Sequence, residues 1–359
     1  MRVGVSPPAR LVVKVGTSSL VGTNGDLDEN SVDGIAAEVA EAWKAGHPTV
    51  LVSSGAVVSG LSALGLQQRP RDVPDLQVAA AVGQVRLMHR YSQAFLSHGL
   101  VAGQLLLTRD LLADRDQYLH ARQAIDRMLS AGIVPVVNEN DTVVVDELRI
   151  GDNDRLAAIV SHVAGAALFV ILTDTDGLFS ADPRRGEAQF LEAVDHTDDR
   201  LDRLSGAGPF GSGGAASKVT AARIAAWSRI PTVIAGANSS LLAITAGEPV
   251  GTWVEPRPFP LAARKLWIAF CQPVAGSVQI DGGAAEALVR GGKSLLAVGV
   301  ATVSGTFGRG EAVDVCSADG RIVARGLARI DSSELARLVG QRGGGEVVHR
   351  DDLVVFAED

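Results

Sequence analysis

The sequence predicts an α/β fold, with a three-layer αβα sandwich around a mainly parallel sheet and a small β-rich domain after it. From residue 9 to about residue 256, short apolar runs alternate with segments of helical periodicity, a pattern typical of parallel sheets covered by helices. The apolar residues are mostly Val, Leu, Ala and Ile, and the 40 glycines suit many tight turns. After residue 275, short β-like runs separated by Gly and Asp turns replace this alternation.

Each strand expected in the first domain is an apolar run that ends in glycine or polar residues. The strands are expected at 9–17, 48–53, 100–108, 133–137, 167–173 and 231–236, with a hairpin arm at 143–150 and an edge strand at 251–256. Helices are expected at 30–45, after 56, at 72–97, 116–131 and 155–164, and from 218 onward. Asn30 is the expected cap of the first of these helices, and Gly46 ends it.

The tail is expected to be a separate domain. Its strands are expected at 277–280, 295–303, 312–315, 322–328, 347–349 and 353–356, with a helix at 284–290. We therefore expect a first domain over 1–256, a linker over 257–275 and a second domain over 276–359.

Composition restricts the class of protein. A net charge of −8 argues against general binding to nucleic acids or membrane surfaces. The first residues are too polar for a signal peptide, and no apolar run is long enough to span a membrane. Cys271 and Cys316 have neither metal-site spacing nor a disulfide framework around them. These features together predict a cytoplasmic protein.

The stretch Gly206–Val219 combines a glycine-rich loop with the start of a helix that carries Lys218. Exposed backbone N–H groups at a helix N-terminus favour a phosphate, although such a loop can also be a flexible surface connection. It is not a P-loop, because Lys218 follows Ser217 and precedes Val219. A Gly-x-Gly-x-x-Gly match begins at Gly206, but it follows polar residues instead of a strand, so we interpret it as chance.

Polar residues follow several of the predicted strands and should meet at one rim of the sheet, because parallel strands share their carboxyl ends. They are Lys14, Ser54, Asn138–Asp141, Asp152–Asp154, Thr173, Asp174 and the loop 212–218. Lys14 interrupts an apolar strand, where it either reaches a ligand or partner or extends to water at a sheet edge. Asp152 or Asn153 could be a helix cap, but a cap does not explain the neighbouring acidic cluster.

These residue types favour phosphoryl transfer. Two lysines and backbone N–H groups can neutralise a polyphosphate, and the acidic residues can position a divalent cation or hold the lysines. The seven histidines form no cluster and no Ser/His/Asp order is visible, so the sequence gives little support to a hydrolase or a zinc site.

The sequence resembles the amino acid kinase family, and within it the enzymes that phosphorylate glutamate on its side chain. The matching runs are Val-Val-Lys14-Val-Gly-Thr-Ser, Val-Ser-Ser54-Gly-Ala, Val-Asn-Glu-Asn-Asp141, Gly-Asp-Asn153-Asp154, Leu-Thr173-Asp174-Thr-Asp-Gly-Leu, Ala-Asp-Pro-Arg and Gly-Ser-Gly-Gly-Ala-Ala-Ser-Lys218. The tail resembles a PUA domain, the small module of pseudouridine synthases and archaeosine transglycosylases.

The resemblance implies ATP-dependent conversion of L-glutamate to L-glutamyl 5-phosphate with Mg²⁺, whose ligands it leaves open. Lys14 and Lys218 would contact the phosphates as catalytic residues, and Asp154 would hold both lysines. Ser54, Asp141 and Asn153 would bind glutamate. The ATP site would be lined by Lys14, Thr173, Asp174, Ser212, Gly213, Gly214, Ala215, Ala216, Ser217 and Lys218. The family loop usually reads Thr-Gly-Gly-Met-Ser/Gly-Thr-Lys, and here alanine in place of the methionine removes apolar bulk near adenine.

The resemblance also implies the first step of proline biosynthesis, feedback inhibition by proline, a homo-oligomer (dimer or tetramer) and handover of product to glutamyl-phosphate reductase. One alternative is another carboxylate or small-anion kinase of the same family, acting on acetylglutamate, aspartate, carbamate or a nucleoside monophosphate. Another is RNA binding through the tail. Residues 275–359 carry nine Lys and Arg against twelve Asp and Glu, a net charge of −3 that argues against RNA.

Overall fold

The computed structural model describes residues 2–22, 25–66, 68–108, 114–143, 153–181, 186, 188–198, 200–201, 204, 214–270 and 272–356. The chain forms two compact units, and the main boundary between them lies between Pro260 and Leu261. The expected strand arm at 143–150 falls almost wholly outside the described residues, as do Asp152, Ser212, Gly213 and Cys271.

The first unit is built on an 8-stranded sheet in the order β3-β4-β2-β1-β5-β7-β8-β6. Its strands are β1 Leu11–Val15, β2 Thr49–Ser53, β3 Val101–Leu107, β4 Ile133–Glu139, β5 Leu168–Thr173, β6 Ala193–Asp195, β7 Thr232–Gly236 and β8 Thr252–Glu255. The first six strands in this order, from β3 through β4, β2, β1 and β5 to β7, are parallel to one another, and β8 pairs antiparallel with β7. The mainly parallel sheet that the sequence predicts is confirmed.

The prediction of an edge strand at 251–256 is wrong. Strand β8 lies inside the sheet, because β6 pairs in parallel with the side of β8 that faces away from β7. Strand β6 has three residues, of which Val194 is buried and its two neighbours are exposed. So short a strand has no apolar run that sequence patterns can detect.

Helices cover both faces of this sheet. They are α1 Glu29–Lys44, α2 Ala56–Ala63, α3 Val73–Ser97, α4 Arg115–Ser130, α5 Asn153–Ala164, α6 Gly214–Trp227 and α7 Leu241–Thr245. Helices α1, α2, α3 and α7 pack on one face, and α4, α5 and α6 pack on the other. The expected cap at Asn30 is wrong, because Asp28 accepts hydrogen bonds from the N–H groups of Asn30 and Ser31 and α1 begins at Glu29.

The alternation of side chains along β1 decides where its lysine points. Leu11, Val13 and Val15 join the core shared with α1 and α3. Since successive side chains of a strand face opposite sides, Lys14 points to the other face, where α5 packs. The strand is central and fully buried, so the ammonium group of Lys14 can reach no water along the sheet plane.

Helices α2 and α3 cross at two glycines. A Cβ atom on Gly60 would lie 1.8 Å from the carbonyl oxygen of Ala79, and one on Gly83 would lie 1.8 Å from that of Ala56. Both contacts are with backbone, which cannot move aside as a side chain can. The crossing therefore brings the middle of α3 close to the start of α2, which follows the carboxyl end of β2.

The second unit contains a 6-stranded sheet in the order β10-β14-β13-β12-β9-β11. Its elements are helix α8 Ala263–Phe270, β9 Val274–Ile280, α9 Gly282–Val289, β10 Leu295–Leu296, β11 Val300–Gly305, β12 Ala312–Cys316, β13 Ile322–Ala328, α10 Ser332–Leu338 and β14 Glu346–Val355. Helix α8 lies in the range expected as a linker and packs against β13 and β14. The β-rich second unit is confirmed, although β14 is one strand where the sequence predicts two.

An ion pair lies inside the second unit. The guanidinium of Arg325, 2% exposed, donates to Asp314 at 2.7 Å and to the carbonyl oxygen of Ala269 at 2.6 Å. These bonds join β13 to β12 and to the end of α8. Among the described residues, no helix is long and apolar enough to cross a membrane.

We expect Gly83→Ala to destabilise the first unit by about 1–3 kcal/mol, because its methyl group would overlap the backbone of α2. The matched control is Gly34→Ala in α1, where a Cβ meets nothing within 4 Å. It should stabilise by about 0.5–1 kcal/mol through helix propensity. Urea unfolding followed by circular dichroism measures both changes, and equal effects of the two substitutions would contradict the tight crossing.

Candidate active site

The centre of the site is a buried ion pair between β1 and the first turn of α5. Nζ of Lys14 lies 2.6 Å from Oδ1 of Asp154, and the two side chains are 6% and 5% exposed. Lys14 reaches this position because it faces the α5 side of the sheet next to the carboxyl end of β1. A Cβ on Gly16 would come within 3.3 Å of the same ammonium, so glycine at this turn leaves room for a ligand to approach it.

Asp154 also gathers the start of α6. Its Oδ2 accepts a hydrogen bond of 2.6 Å from the hydroxyl of Ser217 and lies 4.0 Å from Nζ of Lys218. Lys218 is less buried than Lys14, and its ammonium donates to the carbonyl oxygen of Gly214 at 2.8 Å. One carboxylate thus holds two lysines that are about 200 positions apart in the chain.

The environment keeps Asp154 ionised. Burial alone would raise its pKa, but the charges of Lys14 and Lys218 and the hydrogen bonds from Lys14 and Ser217 outweigh burial and lower the pKa below its ordinary value. The two ammonium groups therefore share a full negative charge at neutral pH. This arrangement can hold two cations ready at one point for a polyanionic ligand.

A neutral network of amides lies next to the ion pair. The side-chain N–H₂ of Asn153 donates to the carbonyl oxygen of Ser53 at 3.0 Å, to the hydroxyl of Ser54 at 3.0 Å and to Oδ1 of Asn138 at 2.8 Å. Asn138 in turn donates to Oε1 of Gln84 at 2.8 Å. All of these side chains are at least nine-tenths buried. Asn153 and Asp154 are consecutive, so the first turn of α5 connects the amide network to the ion pair.

Sequence reasoning missed Gln84. Helical spacing places it on the buried face of α3, with Ala80 and Leu87, and a polar side chain on such a face is the signal that could have found it. Asn138 is part of the predicted polar cluster 138–141, but sequence reasoning assigns it no function of its own. Its position at the carboxyl end of β4 brings it to the same rim.

The remaining predicted residues lie farther along the rim. Thr173 ends β5 and its hydroxyl donates to Asp174 at 3.0 Å, and Asp174 is exposed. Within the described part of the chain, no hydrogen bond or ion pair joins these two residues to Lys14 or Asp154. Asp141 is half-buried just after β4. Gly214 to Lys218 form the first turn of α6, whereas Ser212 and Gly213 lie outside the described residues.

The described residues contain no group of three or more His, Cys, Asp or Glu side chains arranged to hold a metal ion. Of the predicted residues, the structure brings together Lys14, Asp154, Ser217 and Lys218 around one carboxylate, and Ser54 and Asn153 around one amide. Both sets lie at the carboxyl ends of parallel strands, where α/β proteins bind ligands.

Comparisons with known proteins identify the family of each unit. Residues 9–236 match the amino acid kinase family, and residues 276–344 match the PUA domain. The chain is similar to the glutamate 5-kinases of Pelobacter propionicus and of a Geobacter species, at 44% and 45% identity, with 97% of each chain covered. It is 41% identical to the glutamate 5-kinase of Nocardia farcinica, with 98% of both chains covered. The chain belongs to the amino acid kinase family.

Proposed function

We propose that this protein phosphorylates the side-chain carboxylate of L-glutamate with ATP, giving L-glutamyl 5-phosphate and ADP. The observation that carries the proposal is the pair of lysines held by Asp154 at the rim of the parallel sheet. The near full-length similarity to proteins named glutamate 5-kinase supports glutamate over the other acids that kinases of this family accept.

The chemistry needs charge compensation more than acid–base catalysis. A glutamate side chain has an ordinary pKa of about 4.3, so the nucleophile is already ionised near neutral pH. One carboxylate oxygen attacks the γ-phosphorus and forms the acyl phosphate, while the bond to the β-phosphate oxygen breaks and ADP leaves. The barrier is the approach of one anion to another, which Lys14 and Lys218 lower by neutralising the phosphoryl oxygens.

On the nucleotide side, the first turn of α6 and the loop before it receive the phosphates. Gly214 to Lys218 supply backbone N–H groups at a helix N-terminus, and Ser212, Gly213, Thr173 and Asp174 extend the ATP site. Mg²⁺ shields the phosphate charges when it is bound with ATP. Mg²⁺ that binds with a nucleotide is usually held by phosphate oxygens, water and one or two carboxylates, so a three-residue ligand group is not required of the described residues.

On the acceptor side, Ser54, Asp141 and Asn153 bind glutamate. Oδ1 of Asn153 is buried and has no hydrogen-bond partner among the described residues, whereas its N–H₂ is fully engaged. A free buried acceptor suits the α-ammonium group of an amino acid. The half-buried carboxylate of Asp141 adds negative charge for the same group.

The product is an acyl phosphate, which water hydrolyses readily, so a reductase that consumes glutamyl phosphate is the partner that its chemistry favours. The same proposal places the reaction at the first step of proline biosynthesis in the cytoplasm. It includes feedback inhibition by proline and a homo-oligomer, either a dimer or a tetramer.

The direct test is trapping of the product with hydroxylamine. With ATP and Mg²⁺, the purified protein should give a hydroxamate with L-glutamate and much less with aspartate, acetylglutamate or carbamate. Coupled detection of ADP controls for slow trapping. ADP and hydroxamate that form with aspartate or acetylglutamate but not with glutamate would reject the proposal in favour of another kinase of the family.

Lys218→Ala should lower kcat by about two to three orders of magnitude, because one of the two charges that stabilise the transferring group is removed. The KM for glutamate should change little, since the amide network is left intact. Lys44→Ala is the control, because Lys44 is an exposed lysine that pairs with Glu41 on α1. An unchanged kcat in Lys218→Ala would reject the role of this lysine.

Asp154→Asn should destabilise the first unit by about 3 kcal/mol near pH 7, because Lys14 would keep a buried charge without its counterion. The folded-state pKa of Asp154 is lowered, so its stabilisation is complete above the unfolded-state value, near 4, and is lost as the pH falls through the folded-state pKa. The difference in unfolding free energy between wild type and variant should therefore shrink below about pH 4.

Asp126→Asn is the matched control for that measurement, because Asp126 pairs with Arg10 where both side chains are 37% exposed. Its effect at neutral pH should be at most about 1 kcal/mol. A variant at Asp154 that is no less stable than this control would contradict a buried, ionised carboxylate.

A further inference from the structure

We infer that Gln84 is a positioning residue for the acceptor site: it acts through Asn138 to hold the side chain of Asn153 in the orientation that presents Oδ1. This inference rests on the proposed function, in which Asn153 binds glutamate. Gln84 belongs to α3, on the opposite face of the sheet from α5.

The backbone fixes the orientation of every amide in this network. The carbonyl oxygen of Ser53 can only accept, so the atom of Asn153 that contacts it must be the N–H₂ group. The backbone N–H of Glu139 can only donate, and it bonds to Asn138 at 2.9 Å, so that atom of Asn138 must be Oδ1. The N–H₂ of Asn138 is then left to donate to Gln84, whose contacting atom must be Oε1.

Stabilisation of the fold does not account for a glutamine at position 84. The bond to Asn138 is the one hydrogen bond of its side chain within the described residues, and its buried Nε2 has no partner there. A buried amide with one group unsatisfied is less favourable than an apolar side chain of similar size. The neighbouring Gly83 allows the close crossing of α2 and α3 that sets Gln84 beside the end of β4.

Loss of Gln84 would leave the N–H₂ of Asn138 buried without an acceptor. Rotation of Asn138 toward another acceptor would then weaken its bond to Asn153 and loosen Oδ1 of Asn153, the atom that the proposed function assigns to glutamate. Lys14 and Asp154 make no hydrogen bond to Gln84 or Asn138 among the described contacts, so phosphate binding should be unaffected. The effect should therefore fall on glutamate and not on ATP.

The experiment compares Gln84→Met, which removes the acceptor oxygen, with Gln84→Glu, which keeps one. Burial favours the neutral acid, so Gln84→Glu adds little charge near pH 7. Thr49→Val is the control: it removes another buried hydrogen bond, 2.9 Å from the hydroxyl to the carbonyl oxygen of His47, at the far end of β2. Steady-state kinetics give the KM for glutamate and for ATP of each variant, and thermal unfolding shows how much each is destabilised.

We expect Gln84→Met to raise the KM for glutamate about five- to tenfold, in keeping with one lost neutral hydrogen bond, with kcat and the KM for ATP nearly unchanged. Gln84→Glu should stay closer to wild type. Thr49→Val should lower the unfolding temperature without changing either KM. A KM for glutamate that Gln84→Met leaves unchanged, or that both Gln84 variants raise equally, would overturn the inference.

A second measurement does not depend on activity. The side-chain N–H₂ signals of Asn153, assigned by their loss in Asn153→Asp, should shift or broaden in Gln84→Met but not in Thr49→Val. If the wild type makes no glutamyl phosphate, the proposed function fails, and these signals alone decide whether Gln84 holds Asn153. Signals identical to those of the wild type would overturn the inference whatever the activity.

Discussion

The buried contact between Lys14 and Asp154 is the constraint on which the rest of the site depends. A lysine in the middle of a central strand is unfavourable unless a counterion lies next to its ammonium group. The side chain of Lys14 extends toward the face covered by α5, so its counterion must come from that helix. The first turn of α5 must therefore lie at the carboxyl end of β1. That requirement also fixes Asn153, one position earlier, and it leaves the second oxygen of Asp154 facing the start of α6.

Sharing one carboxylate lets the protein keep two cations close together at one rim of the sheet. Without Asp154, Lys14 and Lys218 would repel each other in a region with little water to screen them. Lys218 is the more exposed of the two and donates to the carbonyl oxygen of Gly214 in its own helix, whereas Lys14 is enclosed in a central strand. The division into a fixed and a more exposed lysine follows from their settings, a central strand and a helix N-terminus.

The sequence was sufficient for the parallel sheet, because each buried strand is an apolar run, and for Lys14, because it interrupts such a run. It was not sufficient for β6, which is too short to show a pattern, or for the cap at Asp28, which is one of several polar residues before α1. Gln84 was missed for another reason: its function depends on a glycine crossing and on a partner 54 positions away. Helical spacing can single out Gln84 as a polar side chain on a buried face, but it does not give the partner, whereas Lys14 is recognisable as a charge within an apolar strand.

Among the described residues, the site thus consists of a charged part and a neutral part that are joined at the first turn of α5. In the proposed function, charge repulsion is the main obstacle to phosphoryl transfer, and the two lysines of the charged part lower it. The neutral part is a chain of amides anchored to backbone groups at both ends, and in the proposed function it orients the amide that binds the acceptor. Because Asn153 and Asp154 are adjacent, any movement of that turn would change both parts together, whereas a change at Gln84 reaches only the neutral part.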